Sequence, residues 1–281
     1  MNKEQKMNLS ERTINIFKNF GKINQNLLVD SNKIATISAL KTILAETEID
    51  ENPNFYLRIY DINQFVSLFK LFKDNPSILP NSKFIKLTDG HKNYVNIRQC
   101  DEDRMITPTK TISVTKYQYK FKIPEERLKS LQQYSKITAM PNVLMKPDSD
   151  NKISIEIFDK SEFVNNDIEK LQKEYVALDS LTIQNFGHEI RYLDKKYKFF
   201  AMFKTEYLNK LMLDDYDVSI FKGRIAKFVG KKNKITYYVA LEISSDLDEN
   251  GSDLKKENKE KQDSIVLKIN QLQKKLVELR I

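Results

Sequence analysis

Extended segments that run directly into short amphipathic helices recur along this chain and constrain its fold more than any other feature. The stretch LRIYDINQFVSLFKLF, residues 57–72, alternates like a β-strand up to Asp61 and then adopts helical spacing. One arc of the helix is apolar, with Phe65, Val66, Leu68, Phe69 and Phe72. The opposite arc is polar, with Asn63, Ser67 and Lys70. The pattern predicts a strand joined to a helix without an intervening loop.

The same pattern of short amphipathic helices occurs three more times, in NLSERTINIFKNF, IPEERLKSLQQY and FKTEYLNKLML. Each has a residue suited to a helix start, namely Ser10, Asp61 or Thr205 as an N-cap and Pro124 as a first-turn proline. Between the helices we find only strand patterns, separated by polar turns. We therefore predict an α+β chain of two similar domains, each with two helices packed on antiparallel sheets of about eight strands in all.

Composition shifts predict the domain boundaries. Residues 1–98 form the N-terminal domain and 112–245 the C-terminal domain. The polar stretch QCDEDRMITPTKT at 99–111 breaks the strand alternation and is predicted to be an interdomain connector. A charged, flexible linker is predicted at 246–263, and an amphipathic helical tail at 264–281. The charged segment 161–174 is predicted as a helical excursion between strands.

Net charge and cysteine content indicate the kind of partner and the cellular compartment. The 281 residues carry 47 Lys and Arg against 39 Asp and Glu, a net charge of +8 that is consistent with a polyanionic partner. The single cysteine, Cys100, excludes an intrachain disulfide and fits a reducing compartment. We find neither a signal sequence nor a run of about 18 apolar residues, so a cytoplasmic protein without a membrane span is expected.

Catalytic and cofactor motifs are absent from the sequence. No GxxxxGK[ST], GxGxxG or HExxH pattern occurs, so we predict no cofactor and no catalytic site. The nearest approach to a nuclease is Pro147-Asp148 followed by Glu156, but Phe158 stands where a metal-dependent nuclease needs lysine. No metal site is predicted, and a metal-dependent nuclease stays as one alternative function.

Each predicted helix turns lysines away from its apolar arc. The outward positions in the four helices are Lys18, Lys22, Lys70, Lys129, Lys136 and Lys210. A single surface helix commonly has a solvated charged face, but four such helices favour a shared polyanionic ligand. A monomeric, non-specific DNA-binding protein is therefore a second alternative.

Three segments resemble the DNA polymerase sliding clamp of T-even-type bacteriophages. They are MNLSERTINIFKNFGKIN at 7–24, LRIYDINQFVSLFKLF at 57–72, and DDYDVSIF together with YYVALEIS, which ends at 244. The similarity extends over about residues 7–245, and YDIN and YYVALE are its most specific parts. It implies a DNA-clamp fold and a replicative processivity factor rather than an enzyme. In the family, protomers form a homotrimeric ring whose helices line a pore around duplex DNA.

The resemblance also implies partners. Clamps of this family tether DNA polymerase, serve late transcription factors and are loaded by an ATP-dependent clamp loader, here in the cytoplasm of an infected host cell. Their partners insert short hydrophobic peptides near the connector and the last strand. By position, that pocket would comprise Met105, Ile106, Pro108, Tyr238 and Leu241.

The tail departs from the family pattern, because the chain continues beyond the YVALE-like strand. Its apolar residues are spaced four and three apart, in a seam of Ile265, Ile269, Leu272, Leu276 and Leu279. An isolated helix of this length is marginal in water, so the seam has to be buried against something. Docking on a partner or on the clamp itself is favoured over a coiled coil, because the seam is shorter than three heptads.

Overall fold

The computed structural model describes residues 6–72, 74–109, 112, 117–147, 153–158, 182–183, 201–221 and 224–242. The first half has two helices, seven strands and a short 3-10 helix at Glu102–Arg104. In chain order they are α1 (Glu11–Phe20), β1 (Leu27–Val29), β2 (Lys33–Ile37), β3 (Ile43–Glu48), β4 (Leu57–Ile59), α2 (Ile62–Phe69), β5 (Ser77–Pro80), β6 (Phe84–Thr88) and β7 (Tyr94–Arg98).

The second half repeats the arrangement of strand followed directly by helix. It contains β8 (Tyr117–Ile123), α3 (Glu125–Thr138), β9 (Asn142–Pro147), β10 (Ile153–Phe158), β11 (Thr182–Ile183), β12 (Ala201–Lys204), α4 (Thr205–Leu208), β13 (Tyr216–Phe221), β14 (Ile225–Gly230) and β15 (Thr236–Ala240). The predicted α+β class is confirmed. The proposed helical excursion at 161–174 and the tail at 264–281 lie outside the described residues.

The described residues form four antiparallel sheets. A six-stranded sheet has the order β2-β3-β15-β14-β13-β8, so it contains strands from both halves. The link is the pairing of β15 with β3, in which Tyr237 lies opposite Ala45 and Tyr238 opposite Leu44. The smaller sheets have the orders β5-β6-β7, β11-β10-β9-β12 and β1-β4. The last strand that the structure describes, β15, therefore fixes one half against the other.

The two helices of the first half pack through aromatic side chains. The ring centroids of Phe17 in α1 and Phe65 in α2 are 6.2 Å apart. At Gly21, which ends α1, a Cβ atom would lie 2.5 Å from Ile62 Cγ2 and 2.6 Å from Asn63 Oδ1. This close approach favours glycine at position 21. The backbone conformation does not, since its φ of −61° is ordinary for a helix.

Two of the four helix starts are capped as the sequence predicts. Ser10 accepts a hydrogen bond from the Thr13 amide, and Asp61 accepts one from the Gln64 amide. Pro124, predicted in the first turn, instead occupies the N-cap position of α3, with extended backbone. The prediction for Thr205 was wrong, since this residue is the first of α4 and its hydroxyl donates to the Met140 carbonyl instead.

Candidate nucleic-acid interface

The predicted lysines of the first half lie on the solvent side of their helices. Lys18, Lys22 and Lys70 are exposed, whereas the apolar positions of the same helices are buried. Ile16, Phe17 and Phe20 of α1 have no exposed area, and Phe65 and Phe69 of α2 are 0% and 4% exposed. Phe72, beyond the end of α2, is only partly buried against the core.

In the second half, Lys129 and Lys136 are exposed on α3, opposite the buried Leu128 and Leu131. Lys210 follows the last turn of α4 and differs from the other five lysines because it is half-buried. Its carbonyl accepts a hydrogen bond of 2.9 Å from the Asn19 side chain of α1. Five of the six lysines are thus exposed, with Lys18, Lys129 and Lys136 within helices and Lys22 and Lys70 just past helix ends. Lys210 lies at the junction of the two halves.

Buried polar side chains join α1 and α3 to the α4 region. Asn19 of α1 donates to the residue-210 carbonyl and accepts from the Tyr237 hydroxyl at 2.6 Å. On the other side of α4, Gln132 of α3 donates to the carbonyls of Leu208 and Leu211, both at 2.9 Å. Because α2 packs on α1, and α1 and α3 both bind the α4 region, the helix order is α2-α1-α4-α3.

This order places lysines from the two halves within electrostatic reach of one another. Partial desolvation lowers the pKa of Lys22 below its ordinary value, and repulsion from Lys136 of α3 and Lys18 of α1 lowers it further. Like charges disfavour the protonated form of a neighbouring lysine. The lowered pKa indicates a local positive field between the end of α1 and α3, which an anionic ligand would relieve.

Two features of these helices were not predicted from the sequence. Asn19 was not singled out, although a polar residue within an apolar arc is a signal for a buried hydrogen bond. Ile137 is 80% exposed and Tyr134 is 37% exposed on α3, so the lysine-bearing face of that helix also presents apolar surface.

The predicted partner-binding residues have different environments. In the connector, Ile106 is 44% exposed, and its backbone is bound to Asn24 and Asn26, which follow α1. Met105 and Pro108 are half-buried on either side of it.

The predicted partner residues at the last strand are both buried. Tyr238 is 5% exposed on the sheet face opposite the helices, where its hydroxyl donates to Glu46. Burial, with the Glu46 carboxylate adding to it, raises the pKa of Tyr238 to about 12. Leu241 is 7% exposed and belongs to the main core, so its side chain is already packed within the protein.

An open cleft of about 360 Å³ lies where the connector begins. Tyr60, Gln64 and Ile97 line it, together with Arg98 and Arg104. Cys100 also lines this cleft, and burial raises the pKa of its thiol. None of the residues predicted to bind partners belongs to the described lining of this cleft.

The nuclease-like residues do not form an open carboxylate site in the part of the chain that the structure describes. Glu156 of β10 is 5% exposed, and its Oε1 lies 2.9 Å from Lys146 Nζ on the neighbouring β9. Asp148 lies outside the described residues. Among the residues that are described, no group of three or more His, Cys, Asp or Glu is placed to hold a metal ion. No described helix is long and apolar enough to cross a membrane.

Comparisons with known proteins identify bacteriophage relatives. The sliding clamp of Escherichia phage RB69 is 29% identical over 158 residues, covering 56% of this chain and 68% of the relative. The sliding clamp of Vibrio phage KVP40 is 24% identical over 245 residues, covering 84% of this chain and 99% of the relative. No protein-family model matches the chain.

Solved structures with the same fold are proliferating cell nuclear antigens, abbreviated PCNA. A chain of A. fulgidus PCNA, solved with the C-terminal region of FEN-1 bound, aligns with a TM-score of 0.59 and 12% identity, covering 86% of this chain and 99% of that one. The protein from Entamoeba histolytica aligns with a TM-score of 0.58 and 9% identity over 85% of this chain and 98% of that one. At these identities the likeness shows the fold. The resemblance to the sliding clamps of T-even-type bacteriophages is confirmed, and the chain has the sliding-clamp fold.

Proposed function

We propose that this protein is a replicative sliding clamp that encircles duplex DNA and tethers a DNA polymerase to it. The observation that carries the proposal is the single layer of four helices, with Lys18, Lys22 and Lys136 concentrated where helices of the two halves meet. The relatives that cover most of the chain are sliding clamps, which agrees with this surface.

Lysines on an exposed helical face suit sliding. Contacts between flexible ammonium groups and phosphates carry no base information and exchange without a large barrier, so the protein can move along any sequence. Such a clamp needs no reaction of its own. Its contribution is to keep a polymerase near the template after each dissociation, which raises the effective concentration of the enzyme.

Ring formation requires a head-to-tail contact between copies, and β7 offers a suitable edge. Within the described residues β7 pairs only with β6, and its five residues alternate between exposed and half-buried. A free strand edge is a template for pairing with another chain. If β7 pairs with a different edge of the next copy, the contact is heterologous, and it closes into a ring when each copy is rotated by one third of a turn relative to the previous one. We propose a homotrimer, as in the family.

Partners are proposed from the same family pattern. They are a DNA polymerase, an ATP-dependent clamp loader and late transcription factors, acting in the infected host cell. A PCNA of this fold binds the C-terminal region of another protein, which supports docking of short peptides. On this chain Ile106, the half-buried Met105 and Pro108, and Tyr238 are the proposed contact residues. Leu241 would support the site from the core.

The experiment that tests encirclement uses linear duplex DNA attached to a bead at one end. Protein threaded through the free end is trapped if that end is then blocked with streptavidin, and we expect it to survive a wash at high salt. Leaving the end open should release it. A monomeric DNA-binding protein would be lost in both cases, because salt removes its phosphate contacts. Equal loss with open and blocked ends would contradict the clamp function.

Charge reversal tests the face that meets DNA. The variant Lys18→Glu, Lys129→Glu, Lys136→Glu should bind DNA more weakly at low salt, and its salt dependence should be less steep by about 0.9 per lost phosphate contact. The matched control Lys41→Glu, Lys83→Glu, Lys92→Glu makes the same charge change at exposed lysines outside the helices. Equal weakening of both variants would show that net charge, rather than the helical face, governs binding.

A metal-dependent nuclease remains the alternative of another class. Incubating the protein with supercoiled DNA and Mg²⁺ or Mn²⁺ distinguishes it, since a clamp leaves the DNA intact. Glu156→Gln should abolish any cleavage that belongs to this protein rather than to a contaminant.

A further inference from the structure

The six-stranded sheet has an apolar row on the face opposite the helices. Tyr237 of β15 points to the helix side, where its hydroxyl binds Asn19, so the alternate residues Tyr238 and Ala240 point to the other face. The pairing of residues between strands identifies which residues of the neighbouring strands lie on the same face. On one side Tyr238 lies opposite Leu44, and Leu44 lies opposite Ile37. On the other side Ala240 lies opposite Ile225, Ile225 opposite Phe221, and Phe221 opposite Tyr117. The apolar row therefore crosses all six strands with a step from Tyr238 to Ala240 on β15, and its members are Ile37, Leu44, Tyr238, Ala240, Ile225, Phe221 and Tyr117.

Part of this row is accessible. Tyr117 is 44% exposed, and Ile37, Ile225 and Ala240 are half-buried. Leu40, in the turn between β2 and β3, is 82% exposed at the same end of the sheet. An apolar strip that crosses a whole sheet is larger than the isolated exposed apolar residues of ordinary surfaces.

The described chain ends beside this row. The Ala240 amide donates to the Thr42 carbonyl, and the Glu242 amide donates to the Met202 carbonyl. Residues 243–281 follow immediately in the sequence, and they include the five apolar residues of the predicted seam, Ile265, Ile269, Leu272, Leu276 and Leu279.

The dimensions of the two surfaces agree. Six strands spaced by about 4.8 Å span about 24 Å from the first to the last. A helix from Ile265 to Leu279 would measure about 21 Å at 1.5 Å per residue. The intervening segment 243–263 has a typical end-to-end distance of roughly 25 Å as a flexible chain, so it can return the seam to the sheet.

We propose that segment 264–281 docks its apolar seam on the apolar row of the same chain. Docking buries the apolar residues of the seam, which is only marginally helical alone in water. It also covers the accessible part of the sheet. The segment then acts as an internal competitor at the face that carries Tyr238. That competition rests on the proposed clamp function, whereas the docking itself does not.

Cross-linking in the full chain tests the docking without DNA or a partner. In the variant Leu40→Cys, Gln273→Cys, a short bismaleimide should join the two new thiols within one chain, and protease mapping should identify the joined peptides. Because the native Cys100 lines the open cleft at the start of the connector, every variant also carries Cys100→Ser. Adding Leu272→Asp and Leu276→Asp should reduce the cross-linked fraction at least tenfold, because the seam loses its apolar contacts.

A matched pair places the first thiol elsewhere. Ile137 is as exposed as Leu40 but lies on α3, so Ile137→Cys, Gln273→Cys should give no cross-link above the seam-broken background. Links between two chains, which run as dimers on a denaturing gel, would show that the tail binds another copy and would overturn the proposal. A cross-link that persists in the seam-broken variant would overturn it as well, since chain diffusion alone would explain it.

Discussion

Phe65 and Phe69 stand one turn apart in α2, with ring centroids 6.2 Å from each other. Phe17 of α1 lies at the same distance from Phe65, so the three rings connect the two helices. Their burial separates the apolar arc of α2 from the arc that bears Lys70. Single side chains therefore hold the helical layer in position.

Truncation of one ring should show this role. Phe69→Ala is expected to lower the free energy of unfolding by roughly 3–5 kcal/mol, because it leaves a cavity among buried side chains. Chemical denaturation measures the change, and Leu71→Ala, at a side chain that is 75% exposed, is the control and should stay within about 0.5 kcal/mol. Unchanged stability of Phe69→Ala combined with lost polymerase binding would show that the two arcs have been assigned in reverse.

The pKa of Lys22 is sensitive to the positive charges on the neighbouring helices. Its lowered pKa means that the unfolded chain binds more protons than the folded one between that pKa and the ordinary value of lysine. Its contribution to stability therefore rises as the pH increases through this alkaline interval. NMR titration should show that Lys136→Gln raises the pKa of Lys22, whereas Lys41→Gln leaves it unchanged. An unaltered pKa in Lys136→Gln would mean that α1 and α3 do not share a field.

At the scale of elements, one carboxylate organises the hairpin between β14 and β15. Asp214 has no exposed area and accepts hydrogen bonds from the amides of Lys231, Lys232 and Asn233. The hairpin also receives Arg12 of α1, which donates to the Asn233 carbonyl. This turn therefore links α1 to the end of the six-stranded sheet.

Asp214→Ala should destabilise the protein by more than the roughly 1.5–3 kcal/mol typical of one hydrogen bond to a charged group, because three amide donors lose their acceptor. Hydrogen exchange should accelerate first at residues 231–233. The exposed Asp103 offers the control substitution Asp103→Ala, which should have little effect. A loss below 1 kcal/mol on the same scale would show that water replaces the carboxylate at little cost.

For the whole molecule, successive amides of β7 point alternately to β6 and to the free edge of the sheet. A substitution at one of the outward amides can therefore affect assembly without affecting the fold. The Gln99 amide donates to the Lys83 carbonyl and the Asp89 amide donates to the Asn93 carbonyl. Counting along the antiparallel pair from these bonds, Val95 and Ile97 bond to β6, while the amide of Asn96 points to the free edge. A proline at 96 would therefore remove a donor from the proposed contact between copies and none from the sheet itself.

We expect the unmodified protein to sediment as a trimer of 33.1 kDa chains and Asn96→Pro to sediment as a folded monomer. Asn96→Ala, which keeps the amide, is the matched control and should remain trimeric. Circular dichroism establishes that both variants are folded. A trimeric Asn96→Pro would place the assembly contact elsewhere than β7.

The sequence alone determined the local elements and the faces of the helices. The periodicity of α1 and α2 is strong because each buries one arc, so the exposure of Lys18 and the burial of Phe17 followed from spacing. The strand that runs directly into α2 was also predicted, from its alternating pattern. The family resemblance supplied the clamp fold, which periodicity by itself could not reach.

Only the tertiary structure decided which elements meet. The pairing of β15 with β3 and the bond from Asn19 to the residue-210 carbonyl join positions about 190 apart in the chain. Such contacts depend on the packing of both halves at once, which no local pattern records. For the same reason Lys210 is half-buried rather than exposed, and Lys22, just past α1, lies close enough to Lys136 of α3 for their charges to repel.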